Sequence, residues 1–160
     1  MKQTQPLLKV AGIEIRIHWT FILIILYIIY INMRAGLDAM QIGWSVLFVL
    51  SLFVCVTLHE LGHALAAKRY GIKTKDITLY PIGGVARLEK MPERPVHELV
   101  VALAGPLVNI IIAAILLPVL LNSGLLNNEE EPAKVLILDA SNFLPMLAII
   151  NLWLALFNLI

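Results

Sequence analysis

The chain has 160 residues, 60% hydrophobic and 14% charged, with a net charge of +1. Soluble domains average about 45–50% apolar and about 25% charged, so this composition excludes an ordinary soluble core and points to a polytopic membrane protein. No Lys/Arg stripe with interleaved aromatics is present, so no nucleic-acid partner is expected, and a single Cys excludes an intrachain disulfide.

In residues 10–18, Ile13, Ile15 and Ile17 alternate with Glu14, Arg16 and His18. Period-two alternation predicts a half-buried strand. No cleavable signal peptide is expected, because this charged segment precedes the first apolar run and no small-residue cleavage site follows. The first apolar span covers 19–33 and is short, with Arg16 and Arg34 snorkelling at its ends. The second covers 42–67, runs through Cys55 into His59, Glu60 and His63, and stops at Lys68-Arg69 with Gly71 as its C-cap. Residues 72–90 predict a β-hairpin, in which Ile77, Leu79, Val85 and Leu88 flank the turn Pro81-Ile82-Gly83-Gly84. The third span, 99–121, carries Gly105, Pro106, Asn109 and Pro118; a kink and a close helix approach are expected at Gly105-Pro106. Glu129-Glu130-Glu131 reads as a solvated loop, and the fourth span covers 143–160. The expected fold is an α-helical multi-pass membrane protein, one domain over 1–160, with about four transmembrane helices, a small N-terminal strand and a hairpin on the cytoplasmic side.

Orientation follows from the basic residues. Lys2, Lys9 and Arg16 precede the first span, and Lys68, Arg69, Lys73, Lys75, Arg87, Lys90 and Arg94 follow the second. The other two loops hold only Arg34 and Lys134. The positive-inside rule puts the N-terminus and the hairpin in the cytoplasm of a cell-membrane protein. His59 to His63 then lie within about 10 Å of the cytoplasmic end of their helix.

His59-Glu60-Leu61-Gly62-His63 carries the chemistry. Residues four apart share a helix face, so two imidazoles meet one metal ion. Zinc accepts imidazole nitrogen, and a catalytic zinc site takes three protein ligands plus water, whose pKa falls toward about 7. Glu60 is placed to take that water's proton and pass it to a leaving amide nitrogen. Three polar groups within five residues at membrane depth cost a few kcal/mol each unless paired or metal-bound, which favours one zinc ion per chain. Asp38 and Asp139 fall in loops on the far side of the membrane, and Asp76 lies on the near side with nothing to position it. Cys55 is too far along the axis to join His63 on one ion and reads as a small buried hydrophobe.

Several of these segments together resemble the site-2 protease family of intramembrane metalloproteases, most closely its compact prokaryotic members. They are Gly12-Ile13-Glu14-Ile15-Arg16-Ile17-His18-Trp19, Leu58-His59-Glu60-Leu61-Gly62-His63-Ala64, Pro81-Ile82-Gly83-Gly84-Val85-Ala86, Ala104-Gly105-Pro106-Leu107-Val108-Asn109 and Phe157-Asn158-Leu159-Ile160. The resemblance implies hydrolysis of peptide bonds in or near transmembrane segments of membrane-anchored protein substrates, within the lipid bilayer. It also implies a third zinc ligand, an Asp of an Asp-Gly motif shortly after the segment matched by Phe157-Asn158-Leu159. The chain ends at Ile160, so that ligand is expected within roughly ten further residues. A noncatalytic metal-binding or adaptor protein on the same scaffold is the alternative. A haem bundle is disfavoured because His59 and His63 share one helix.

Four further residues are candidates for substrate binding. Asn109 makes either an interhelical hydrogen bond or a wall of the catalytic cleft. Asn158 and Asn151 share a face of the last helix, and the resemblance favours Asn158, which precedes the expected Asp. Gly83 and Gly84 belong either to a plain turn or to an exposed strand edge that pairs with an unwound substrate. His18 and His97 are expected to be interfacial or capping groups.

Overall fold

The computed structural model describes residues 4–90, 94–125 and 137–159. The alternating isoleucines do form a strand, β2 (Ile13–His18), but it is the second arm of a hairpin whose first arm is β1 (Thr4–Val10). The single strand expected over 10–18 is therefore broken. Ala11 (φ 51°) and Gly12 (φ 91°) turn the chain between the arms, and the Lys68 ammonium donates to the Ala11 carbonyl at 3.0 Å. β1 escaped notice because Pro6 argues against a central strand. It lies at the sheet edge, where a missing donor is tolerated, and the register shifts between Pro6 and Leu8.

Helix α1 (Phe21–Arg34) leads to α2 (Ala39–Arg69). Asp38 opens α2 with a capping box: its carboxylate accepts from Gln41 N–H at 2.9 Å while the Gln41 side chain accepts from Asp38 N–H at 3.0 Å. At the far end the cap is Tyr70 rather than Gly71. Gly71 sits one position later at φ 74°, where Gly71 N–H donates to Lys68 and Ile72 N–H to Ala67, the paired bonds of a Schellman motif. Ile72 folds back beside Ala67 and Val101 in a buried cluster.

The expected hairpin is present as β3 (Thr74–Tyr80) and β4 (Gly83–Leu88), with Gly83 and Gly84 inside β4. Sequence periodicity did not reveal that β2 pairs with β3 in parallel, giving one sheet in the order β1-β2-β3-β4. Ile13, Ile15, Ile77 and Leu79 bury against Leu61 and Ala64 of α2, so the sheet lies on the helix that carries the histidines.

Pro95 opens α3 (Pro95–Leu121), a turn earlier than expected, at a position where its missing N–H costs nothing. The helix passes through Pro106 and Pro118. The last helix, α4 (Phe143–Phe157), packs Leu147 against Phe48 and Cys55 of α2. Of the four expected spans, α2 and α3 are long and apolar enough to cross a membrane. α1 and α4, with 14 and 15 residues, rise roughly 21–23 Å against a hydrocarbon core of about 30 Å. Their outward residues are apolar, as are Leu47, Leu50, Val54 and Leu58 of α2 and Leu103, Leu107, Ile111 and Ile115 of α3. Lys2, the acidic run Glu129-Glu130-Glu131, Lys134 and Ile160 lie outside the described residues.

Asp76, expected to be unpositioned, is buried beneath the sheet and clamped by the Arg87 guanidinium, with Arg16 Nε at 3.8 Å. Arg87's hydrogen bonds, then its charge and that of Arg16, hold the Asp76 carboxyl below its usual range. A depressed carboxyl stabilises the fold fully above its unfolded pKa, about 3.9, and that contribution is lost as pH falls through the depressed native value. Thermal unfolding in detergent should therefore show stability dropping as pH falls below about 4, and Asp76→Asn should flatten that drop while costing about 1–3 kcal/mol at neutral pH. Equal acid sensitivity in the two proteins would contradict the assignment.

Candidate metal centre

Helical spacing brings His59 and His63 onto one face of α2, with their Nε2 atoms 3.0 Å apart and their rings edge to face at 81°. His63 is oriented from the neighbouring helix: its Nδ1 lies 2.7 Å from the Val101 carbonyl of α3. A carbonyl only accepts, so Nδ1 carries the proton and Nε2 presents its lone pair. This is the outer hydrogen bond that metal-ligating histidines characteristically make. His59 is buried, and its Nδ1 has no hydrogen-bond partner.

α3 comes this close because two glycines permit it. A Cβ on Gly62 would lie 2.7 Å from the Ala104 carbonyl oxygen and 2.9 Å from Val108 Cγ2. A Cβ on Gly105 would lie 2.7 Å from His59 Nε2 and 2.5 Å from His63 Cε1 and would overlap His63 Nε2. The missing side chain of Gly105 thus leaves the space into which both imidazole nitrogens point. The expected close approach at Gly105-Pro106 is present, and Pro106 is fully buried behind it. Asn109, one turn on, is 1% exposed and adjoins His59, and neither polar atom of its amide has a hydrogen-bond partner. It stands beside His59, on the neighbouring helix.

Glu60 is held from the opposite side, by the sheet. Its Oε2 accepts from the Ala86 N–H of β4 at 3.2 Å. Gly84 lets the strand pass this closely, since a Cβ there would sit 2.7 Å from Glu60 Cγ and 3.2 Å from Val56 Cγ1. Gly83, at φ 142°, begins β4 opposite Tyr80 and touches nothing that a side chain would meet. A cavity of about 260 Å³ opens at this point, lined by Glu60, His63, Ala86, Leu88, Glu98, Val101 and Ala102.

The donor set fits zinc in part. The two imidazole Nε2 atoms lie 3.0 Å apart, within hydrogen-bond distance of each other, and nitrogens bound at about 2.0–2.1 Å to a tetrahedral ion lie roughly 3.3 Å apart, close to the spacing seen. Among the described residues no group of three or more His, Cys, Asp or Glu converges, so a third ligand is not found among them. Asp38 is spent on capping α2, Asp76 on Arg87, and Asp139 on Ser141 and Asn142 at the approach to α4. Cys55 packs with Phe48 and Leu147, its sulfur 3.4 Å from Asn151 Nδ2. Asn158 caps α4, donating to the Leu154 carbonyl at 2.7 Å, and does not line the cavity. His97 stacks on Tyr70 at 3.9 Å, and His18 meets Tyr80 in a tilted ring contact at 5.0 Å while its Nδ1 lies 2.7 Å from the Thr20 hydroxyl. The Val101 carbonyl, the Ala86 amide and Glu98 were not anticipated. The two backbone groups leave no trace in residue identity, whereas an acidic residue one turn inside a basic helix start is visible in retrospect.

The chain is similar to known proteins in sequence and in fold. Residues 47–136 match the sequence profile of Peptidase family M50. A zinc metalloprotease of Methanocaldococcus jannaschii is 49% identical over 119 residues, which is 73% of this chain and 32% of that protein. The solved structure of a site-2 protease from Methanocaldococcus jannaschii superposes over 98% of this chain and 64% of its own, with a TM-score of 0.69 and 36% identity. The chain belongs to peptidase family M50, the site-2 protease family. It spans about a third of the length of the curated relative and about two thirds of the solved structure.

If Gly105 makes the room that the imidazoles use, Gly105→Ala should weaken zinc binding by about 10–100-fold, the effect usual for disturbing a ligand's support. Zinc titration of the full-length protein, with circular dichroism as a control for helix content, checks this. Unchanged affinity would show that the imidazoles do not need the space.

Proposed function

We propose that this chain is the membrane core of an intramembrane zinc metalloprotease that hydrolyses peptide bonds in or near transmembrane segments of membrane-anchored proteins. The observation that carries the reading is the convergence of His59 and His63 Nε2 at 3.0 Å, with the Glu60 carboxylate held beside the same cavity by Ala86. His59 and His63 would hold the ion, and among the described residues no third His, Cys, Asp or Glu converges with them. When bound, zinc supplies a Lewis acid that polarises the scissile carbonyl and acidifies water.

The chain's own residues do the rest. Glu60 takes the proton of the attacking water and returns it to the departing amide nitrogen. The Ala86 amide fixes the carboxylate for that transfer, and the Val101 carbonyl fixes the tautomer and direction of His63. β4 is the edge of the sheet on the Glu60 side, so an unwound substrate segment has backbone groups to pair with next to the base, Gly83 and Gly84 among them. Asn109 and Asn158 remain candidates for substrate contact. Four apolar helices crossing the cell membrane, with the N-terminus and the site on the cytoplasmic side, complete the reading. The Lys/Arg distribution supports that orientation, and so does the pairing of β2 with β3, which joins the N-terminal segment to the α2–α3 connection.

Purified full-length protein in detergent, given a membrane-anchored substrate, tests the assignment. Glu60→Gln should lower turnover by about 10²–10⁴-fold with zinc retained, while His59→Ala or His63→Ala should lose the metal as well. Cleavage at the parent rate by Glu60→Gln would remove Glu60 as the base.

A further inference from the structure

The cavity at the site has a second carboxylate that the hydrolytic chemistry does not use. Glu98 lines it together with Glu60 and His63. Its place is fixed by helix geometry: Val101 and Ala102 follow at three and four residues, so Glu98 shares their face of α3. Val101 is the residue whose carbonyl orients His63, and Ala102 is the one whose helical acceptor loses its donor at Pro106. The first turn of α3 is itself pinned, by the stacking of His97 on Tyr70 and by the cluster of Val101 with Ala67 and Ile72. Glu98 is therefore set beside the reacting groups by a rigid element and not by a loop.

The charge pattern makes this position unusual. The end of α2 carries Lys68 and Arg69 and its connection to α3 carries Lys73, Lys75, Arg87, Lys90 and Arg94, yet the charged side chains lining the cavity are the acids Glu60 and Glu98. Besides His63, the remaining walls, Ala86, Leu88, Val101 and Ala102, are apolar, and Glu98 is itself exposed, where an incoming side chain can reach it. At about 260 Å³ the space is below the roughly 300–1,000 Å³ of a drug-sized site and matches one or two side chains. An extended segment lying between β4 and the start of α3 passes Glu60 and Glu98 in turn. Membrane-anchored proteins carry Lys and Arg at the cytoplasmic ends of their spans, the part that reaches a site near that face.

We infer that Glu98 is a specificity residue, and that it binds a Lys or Arg side chain of the substrate within a few residues of the cleaved bond. This rests on the protease reading above and adds a substrate class to it: segments whose cleaved region has a basic flank. The bland role for Glu98 is to complement the α3 N-terminus, where an acidic residue in the first turn is stabilising. That role predicts a change in stability and none in selectivity.

The experiment uses the full-length protein and a set of membrane-anchored substrates identical except for Lys, Gln or Glu placed at each position within about four residues of the cleaved bond. The readout is the ratio of kcat/KM values between substrates, which cancels any loss of folded enzyme. The parent should favour Lys over Gln at one position by about 3–10-fold, a preference that shrinks as salt rises. Glu98→Gln should bring that ratio to about one, and Glu98→Lys should turn the preference toward Glu at the same position. A parent without preference at any position, or a Glu98→Gln protein that keeps the parent ratio, would overturn the proposal. The protease reading fails separately, if the parent cleaves none of the substrates; parent-rate cleavage by Glu60→Gln removes Glu60 as the base, whereas intact cleavage without a charge preference overturns only the role of Glu98.

Discussion

The contact on which the rest depends is the one between α2 and α3 at Gly62 and Gly105. Two helices that carry side chains at such positions keep their axes 8–10 Å apart, and the polar groups of one do not reach the backbone of the other. Here the Ala104 carbonyl lies where a Gly62 side chain would be, and both imidazoles fill the room beside Gly105. The close approach brings the Val101 carbonyl within 2.7 Å of His63 Nδ1. It also buries His59 and Asn109, polar groups that are expensive at membrane depth unless something compensates them. A site that accepts this expense, with His59 Nδ1 and the Asn109 amide left without partners, is built for something other than stability.

The carboxylate and the imidazoles are held by different parts of the molecule. His63 takes its direction from α3, while Glu60 takes its direction from β4 through the Ala86 amide. β4 in turn is fixed by β3, whose parallel partner β2 belongs to the N-terminal hairpin, and Ile13, Ile15, Ile77 and Leu79 anchor that sheet on Leu61 and Ala64 of α2. Leu61 follows Glu60 directly, so the face of α2 that binds the sheet lies next to the face that carries the carboxylate. The small sheet is therefore part of the site and not an appendage to a helix bundle.

The parts of this arrangement that were legible in the sequence are those that repeat or that have special chemistry. Alternating isoleucines announced β2, the Pro-Ile-Gly-Gly turn announced the β3–β4 hairpin, and long apolar runs announced α2 and α3. The H-E-x-x-H spacing announced that His59 and His63 share one helix face, where their Nε2 atoms meet. What stayed hidden depends on pairings between distant segments. Nothing in Thr4–Val10 marks it as a strand, because Pro6 is tolerated only by virtue of an edge position that the sequence does not state. The parallel register of β2 on β3 and the burial of Asp76 under Arg87 both follow from that long-range pairing. Gly84 read as a turn residue, yet its small size serves the approach of β4 to Glu60. α1 starts two residues after its expected beginning and runs to Arg34, and α4 ends at Phe157, where Asn158 caps it although the apolar sequence continues. The position of Glu98 became meaningful only when α3 was laid against α2.

The central claim is that the two imidazoles, brought to one point by the α2–α3 contact, ligate a single zinc ion. X-ray absorption at the zinc edge, recorded on the full-length protein and on His63→Ala, tests it most directly. The account predicts outer-shell imidazole scattering from two rings with first-shell nitrogen at about 2.0–2.1 Å, and its reduction in the variant. A spectrum without imidazole scattering, or one that His63→Ala leaves unchanged, would contradict it.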